Sequence, residues 1–260
     1  MGKDARESYS PIRQMTDAER IRTVQEIFST VTGKYDFLNH FLSLRRDIAW
    51  RRFTVRKMRF FNTHRLLDVA TGTADLAIEA ARHHPSIDVT GLDFVKAMID
   101  VGRTKIERSG FSDRIRMLRG DALMLPFPDG RFDIASIAFG IRNIPDRDRA
   151  LKEMKRVVVP GGRVMVLEMT FPRNNLFQGF YRLYLGRILP RLAGVFSGNP
   201  AAYEYLGDSI ANFPDPEPFV RQMERAGLTP VEKYSLDFGI TYLHIGLNPQ
   251  VALPLDGHKR

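Results

Sequence analysis

From residue 65 onward the apolar and polar positions alternate between two rhythms. Short apolar blocks near 65–70, 87–92, 115–120, 132–138 and 162–168 read as buried strands. Between them, near 75–84, 95–109 and 147–158, apolar residues recur every three to four positions and predict helices. Gly161 and Gly162 after Pro160 predict a turn into the fifth strand. Residues 172–213 break the rhythm, and a helix is then predicted over 216–226, stopped by Gly227. Two last strands, Val231–Leu236 and Thr241–Leu247, lie close enough to form a hairpin. The alternation implies an α/β fold, with seven mostly parallel strands, an antiparallel strand at the edge and helices on both faces.

The first 62 residues follow a different pattern. Thr16 and Glu19 have capping-box spacing, and the helix they open puts Ile21, Val24, Ile27 or Phe28, and Val31 on one face before Gly33 ends it. A basic amphipathic helix carrying Trp50 and Phe53 comes next. Residues 1–62 are therefore expected to be a helical extension, partly a lid, on a main domain at 63–247, with a frayed tail at 248–260.

The most informative stretch is residues 65–75, RLLDVATGTAD, with its echo VTGLD at 89–93. A strand runs into a turn of small residues and then into a helix N-terminus, which lets a ligand approach the backbone. Asp93 ends the second strand, 21 residues after Gly72, where an acid can hold ribose hydroxyls. A dinucleotide turn would read G-x-G-x-x-G, but here those slots hold Ala70, Gly72 and Asp75, and a carboxylate would face the pyrophosphate. S-adenosylmethionine suits the stretch better, since its ammonium and sulfonium tolerate carboxylates such as Asp68. Asp121, in the Gly120-Asp121-Ala122 run ending the third strand, can accept from an adenine amino group.

Composition narrows the setting. Apolar residues make up 43% and charged residues 27%, the balance of an ordinary globular chain. There is no cysteine, which excludes disulfides and thiolate metal sites and fits a reducing cytoplasm. The six histidines show no metal-ligand spacing, so no metal is expected, and His244 is expected inside a strand. The N-terminus is too polar for a secretory signal, and no apolar run approaches the ~18–20 residues of a membrane span.

The net charge of +9 is concentrated early, with seven basic residues against one acidic between positions 45 and 59. Such a surface attracts RNA or anionic lipid headgroups alike.

The longer wording resembles a known family. GLDFVKAMI, GDALMLPFPDGRFDIASIAFGIRNIPDRDRALKEMKRVVVPGGRVMVLE and YEYLGDSIANFPD are similar to the UbiE/MenG C-methyltransferases of menaquinone and ubiquinone biosynthesis, over roughly residues 20–247. The resemblance implies a class I, Rossmann-like methyltransferase fold. It also implies S-adenosylmethionine as methyl donor and a ring carbon of a prenylated hydroquinone as acceptor. Carried over by position, cofactor contacts fall on Thr73, Asp93, Asp121 and Ala122, beside Asp68 and Gly72. Thr71 and Ala74 stand where the family often has glycine, and Ala138 replaces a serine linked with cofactor contact.

A hydroquinone ring attacks well once a hydroxyl is ionised, and a phenol pKa near 10 makes that rare at neutral pH. Arg142, in the FGIRN run, is the candidate cation for the oxyanion, Asn143 a second donor, and Tyr35 a lid residue. Arg142 could instead pair with Asp146 or Asp148. Within 172–213, read as a substrate-side helical insertion, Leu176, Phe177, Phe180, Tyr181, Tyr184, Leu185 and Ile188 share a broad helical face. It either covers the sheet or walls the path of an isoprenoid tail and touches the bilayer, aided by segment 45–59. The protein is thus expected in the cytoplasm, peripheral at the inner face of the membrane. Another small phenol, RNA, or a catalytically silent assembly role are the alternatives. No base-stacking aromatics beside a basic groove point to a nucleic-acid partner, and a homodimer is left open.

Overall fold

The computed structural model describes residues 14–32, 36, 39–40, 43–170 and 200–249. Tyr35, the apolar face at 176–188 and the tail from 250 lie outside the described residues. The chain begins with α1 (Asp17–Val31), opened by the expected capping box: Glu19 N–H donates to Thr16 Oγ1, and Thr16 N–H donates to Glu19 Oε2 at 2.7 Å. The basic helix follows as α2 (Arg46–Arg56), burying Trp50, Arg51, Thr54 and Val55.

The alternating region is built from β1 (Arg65–Val69), α3 (Asp75–His83), β2 (Asp88–Asp93), α4 (Lys96–Ser109), β3 (Ile115–Arg119), β4 (Phe132–Ala138), α5 (Arg147–Arg156) and β5 (Val158–Met169). Two helices, α6 (Pro200–Ala211) and α7 (Pro216–Arg225), precede β6 (Val231–Leu236) and β7 (Thr241–Leu247). The seven strands form one sheet in the order β3-β2-β1-β4-β5-β7-β6. Strands β1 to β5 pair in parallel; β7 runs antiparallel to β5, and β6 completes the hairpin at the edge. The central strands are nearly continuous apolar runs because helices bury both faces. One core lies under α2 and α3, around Leu66, Ile78 and Met165, and the other under α5 and α7, around Val69, Leu151 and Phe219.

The turn expected at Gly161 and Gly162 is instead a bulge inside β5. Phe132 pairs with Val158, whereas Ile134 pairs with Arg163, so β5 takes up extra residues there. Asn248 at the end of β7 closes the bulge, bonding Gly161 N–H at 2.8 Å and Gly162 C=O at 2.9 Å. A backbone pair supplied by a distant strand turns a local break signal into continuous sheet.

Candidate active site

The parallel strands end together on one rim, the usual ligand edge of such sheets. At the end of β1 the backbone takes left-handed φ at Ala70 (50°), Gly72 (58°) and Ala74 (69°). That conformation is inexpensive for glycine and costly for any residue with a Cβ, so Ala70 and Ala74 are held in it by the turn's own backbone bonds, Thr71 N–H to Leu92 C=O and Ala74 N–H to Thr71 C=O. A Cβ at Gly72 would meet nothing within 4 Å, so open space faces this turn. Asp93 braces it from β2: its Oδ2 accepts Gly72 N–H at 2.8 Å and its Oδ1 accepts Val95 N–H at 2.8 Å. Burial pushes the Asp93 carboxyl upward, opposed by these backbone bonds.

One cleft lies along this rim. Gly72, Asp93, Asp121, Ala122 and Asn143 all line it, and α1 forms the facing wall with Ile21, Val24 and Phe28. Ala138 and Phe139 also reach it, so position 138 offers the cleft a methyl group and no hydroxyl. Among the described residues its lining holds two carboxylates, Asp93 and Asp121, and neither lysine nor arginine. That wall fits a cationic nucleoside ligand and repels a pyrophosphate.

Three predicted site residues stand behind the cleft. Asp68 is 1% exposed, with Thr71 Oγ1 donating to one oxygen at 2.7 Å and Ser136 Oγ to the other at 2.9 Å. Burial pushes its carboxyl up to about 6. Thr73 is buried and donates to Asp36 Oδ1 at 2.5 Å, while Lys105 joins Asp36 at 2.6 Å and also bonds Asp75. These residues tie the N-terminal extension to the turn. Beside them, His40, Asp47 and Asp75 converge within 4.8 Å, but Arg51 pairs with both carboxylates and supplies the positive charge there.

Arg142, the third, sits in a 3-10 turn (Ile141–Asn143) after β4. Its ion-pair partner is neither Asp146 nor Asp148 but Glu168 near the end of β5, whose carboxylate bonds both the guanidinium and the Arg142 N–H. Asp146 instead caps α5, accepting Arg149 N–H at 2.9 Å. Arg142 is 6% exposed and Glu168 fully buried. Arg20 of α1 donates to the Arg142 carbonyl, joining that helix to this turn. Next door, Tyr205 of α6 donates its hydroxyl to Asn143 Oδ1 at 3.1 Å. Burial pushes the Tyr205 phenol upward. Tyr205 and Glu168 lie within the family-like wording, but nothing local in the sequence marked either as a partner of the FGIRN turn.

The chain matches the model of the ubiE/COQ5 methyltransferase family over residues 14–248. It belongs to this family. The ubiquinone/menaquinone biosynthesis C-methyltransferase UbiE of Geotalea daltonii is 43% identical over 229 residues, 88% of this chain and 97% of its own. The demethylmenaquinone methyltransferase of Thermus thermophilus is 44% identical over 223 residues, 86% of this chain and all of its own (100%). Among solved structures, an S-adenosylmethionine-dependent methyltransferase of Thermotoga maritima matches with TM-score 0.60 at 20% identity, over 86% of this chain and 99% of its own. A phosphoethanolamine N-methyltransferase of Haemonchus contortus, in complex with S-adenosylhomocysteine, gives TM-score 0.63 at 15% identity, over 92% of this chain and 61% of its own. The class I methyltransferase fold is the one the strand order displays. S-adenosylmethionine is the cofactor of this family member, and its acidic cleft suits that cation.

Proposed function

We propose that this ubiE/COQ5-family methyltransferase C-methylates the ring of a prenylated hydroquinone, demethylmenaquinol or the corresponding ubiquinol precursor. The observation that carries the reading is the shared cleft: the cofactor acids Asp93 and Asp121 and the FGIRN residue Asn143 line one space. Asp93 takes the ribose hydroxyls, Asp121 and Ala122 face the adenine, and the Gly72 turn meets the amino-acid end. Asp68 and Thr73 act from behind, one holding the Thr71 hydroxyl and the other the extension. The bound cofactor supplies an activated methyl on its sulfonium.

The chain's own task is the nucleophile. Because Tyr205 occupies Asn143 Oδ1, the amide NH2 is turned away from Tyr205 and is available to the ring oxygen. Arg142 lends positive charge from behind that amide, and each unit by which the phenol pKa falls favours the phenolate by about 1.4 kcal/mol. Glu168 fixes the guanidinium and limits how much of its charge reaches the cleft. The extension works as a cover, with Ile21, Val24 and Phe28 of α1 facing the cleft.

Among the described residues no helix is long and apolar enough to cross a membrane. The protein meets its lipid substrate as a peripheral visitor at the bilayer surface. The test is to incubate it with isotope-labelled cofactor and either quinol, then identify the product by mass spectrometry. Label on a ring carbon supports the reading; label on neither quinol overturns it.

A further inference from the structure

Two bulky apolar side chains project from the surface on unfavourable backbone. Leu44 is 81% exposed at φ 50°, and Phe238 is 82% exposed at φ 57°. Left-handed φ is costly for large L-residues, and at that exposure burial does little to offset the strain. Their neighbours Arg45 and Asp237 share the conformation, at 62° and 44°.

The two tips are held at one place. Arg46 forks onto Asp237, with Nε donating to Oδ2 at 2.7 Å and Nη2 to Oδ1, and Trp50 Nε1 donates to the same carboxylate at 2.6 Å. The turn before α2 and the β6–β7 connection are thereby pinned together.

This place adjoins the cleft. β7 starts at Thr241, opposite Met169 at the end of β5, on the rim where the cofactor acids stand. Trp50 packs 5.9 Å from Phe139, a wall of the cleft.

Charge selects the partner. The outer face of α2 exposes Arg45, Arg46, Arg52 and Arg56. Asp237 answers Arg46, and Glu79 is shared by Arg52 and Arg82, so positive charge remains in excess. A second copy of this face would bring like charges together, and Leu44 offers no ring on which an unpaired base could stack, which favours lipid over RNA.

We propose that Leu44 and Phe238, flanked by the α2 arginines, are the surface by which this protein docks on an anionic lipid bilayer, beside the mouth of its cleft. The tips enter the hydrocarbon boundary and the arginines meet headgroups. Docking itself is independent of the substrate; its purpose rests on the prenylated-quinol reading.

The test uses the full chain with phosphatidylcholine vesicles, with and without added phosphatidylglycerol, in a sedimentation assay. Binding is expected only to the anionic vesicles and should weaken with salt. Leu44→Gln and Phe238→Gln should each weaken it at least about tenfold. They should keep turnover on a short-tailed soluble quinol and lose it on a long-tailed quinol in vesicles. Leu44→Gly should raise Tm by relieving the backbone while still weakening binding, which separates docking from folding. Equal binding by variants and native protein, or none by the native protein, overturns the proposal. So does a finding that the substitutions abolish self-association or RNA binding instead. If no quinol is methylated yet the variants lose vesicle binding, the docking surface stands and the substrate reading falls.

Discussion

Asp93 is the residue whose two oxygens most directly organise the cofactor rim, since one braces the Gly72 turn and the other the start of α4. Asp93→Ala should weaken cofactor binding at least about tenfold by calorimetry, the scale of losing bonds to a charged acceptor. Unchanged affinity would remove the ribose assignment. Arg142→Ala should keep cofactor affinity and lose most turnover. It also strands buried Glu168, at a cost of about 3–5 kcal/mol in stability. Adding Glu168→Gln should therefore restore Tm without restoring turnover; recovered turnover would take Arg142 out of the chemistry. Tyr205→Phe removes one hydroxyl and releases the Asn143 amide. Its kcat should fall about tenfold with cofactor affinity unchanged, and an unaltered kcat would reduce the bond to architecture.

At the scale of elements, the turn after β1 was legible because a run of small residues between a strand and a helix announces a tight turn, and the backbone there is left-handed at Ala70, Gly72 and Ala74. The capping box of α1 was legible for the same reason, as both partners lie within one helical turn. Elsewhere local patterns were read too locally. Two glycines announced a turn, yet pairing with Asn248 kept them within β5. Thr73 carries a link that no local pattern announces, since its hydroxyl holds Asp36 and so fastens the extension to the turn. That strap makes a prediction. Asp36→Ala should raise amide exchange in α1 at least about tenfold by mass spectrometry, without altering the strands. Identical exchange would show that α1 is held over the cleft by its apolar face and the Arg20 bond to the Arg142 carbonyl, without the strap.

For the molecule as a whole, the buried His244 links stability to pH. It lies fully buried in β7, its ring 4.9 Å from that of Phe219, and burial pushes its pKa down to about 4 from the ordinary 6.5. The folded state therefore binds fewer protons than the unfolded state between those values. Stability from this group is complete above pH 6.5 and is lost as pH falls through 4, by about 3 kcal/mol in all. Asp68 acts in the opposite sense: raised from 3.8 to about 6, it favours the fold below 3.8 and loses that contribution as pH rises through 6. His244→Phe should flatten the loss of stability between pH 7 and pH 5, measured by urea unfolding. An unchanged slope would move the acid sensitivity to other groups.

By itself the sequence determined the strand–helix alternation, the sites of the rim carboxylates and the family wording. Each of these is written in spacings of a few residues, and a parallel sheet brings successive strand ends together without further instruction. Only the tertiary structure decided that Arg142 answers Glu168, that Tyr205 holds Asn143, and that Arg46 clamps Asp237 from 191 positions away. Those pairings depend on strand register, on which face each helix buries, and on the cost of leaving a charge unmatched in the interior. No local periodicity encodes them.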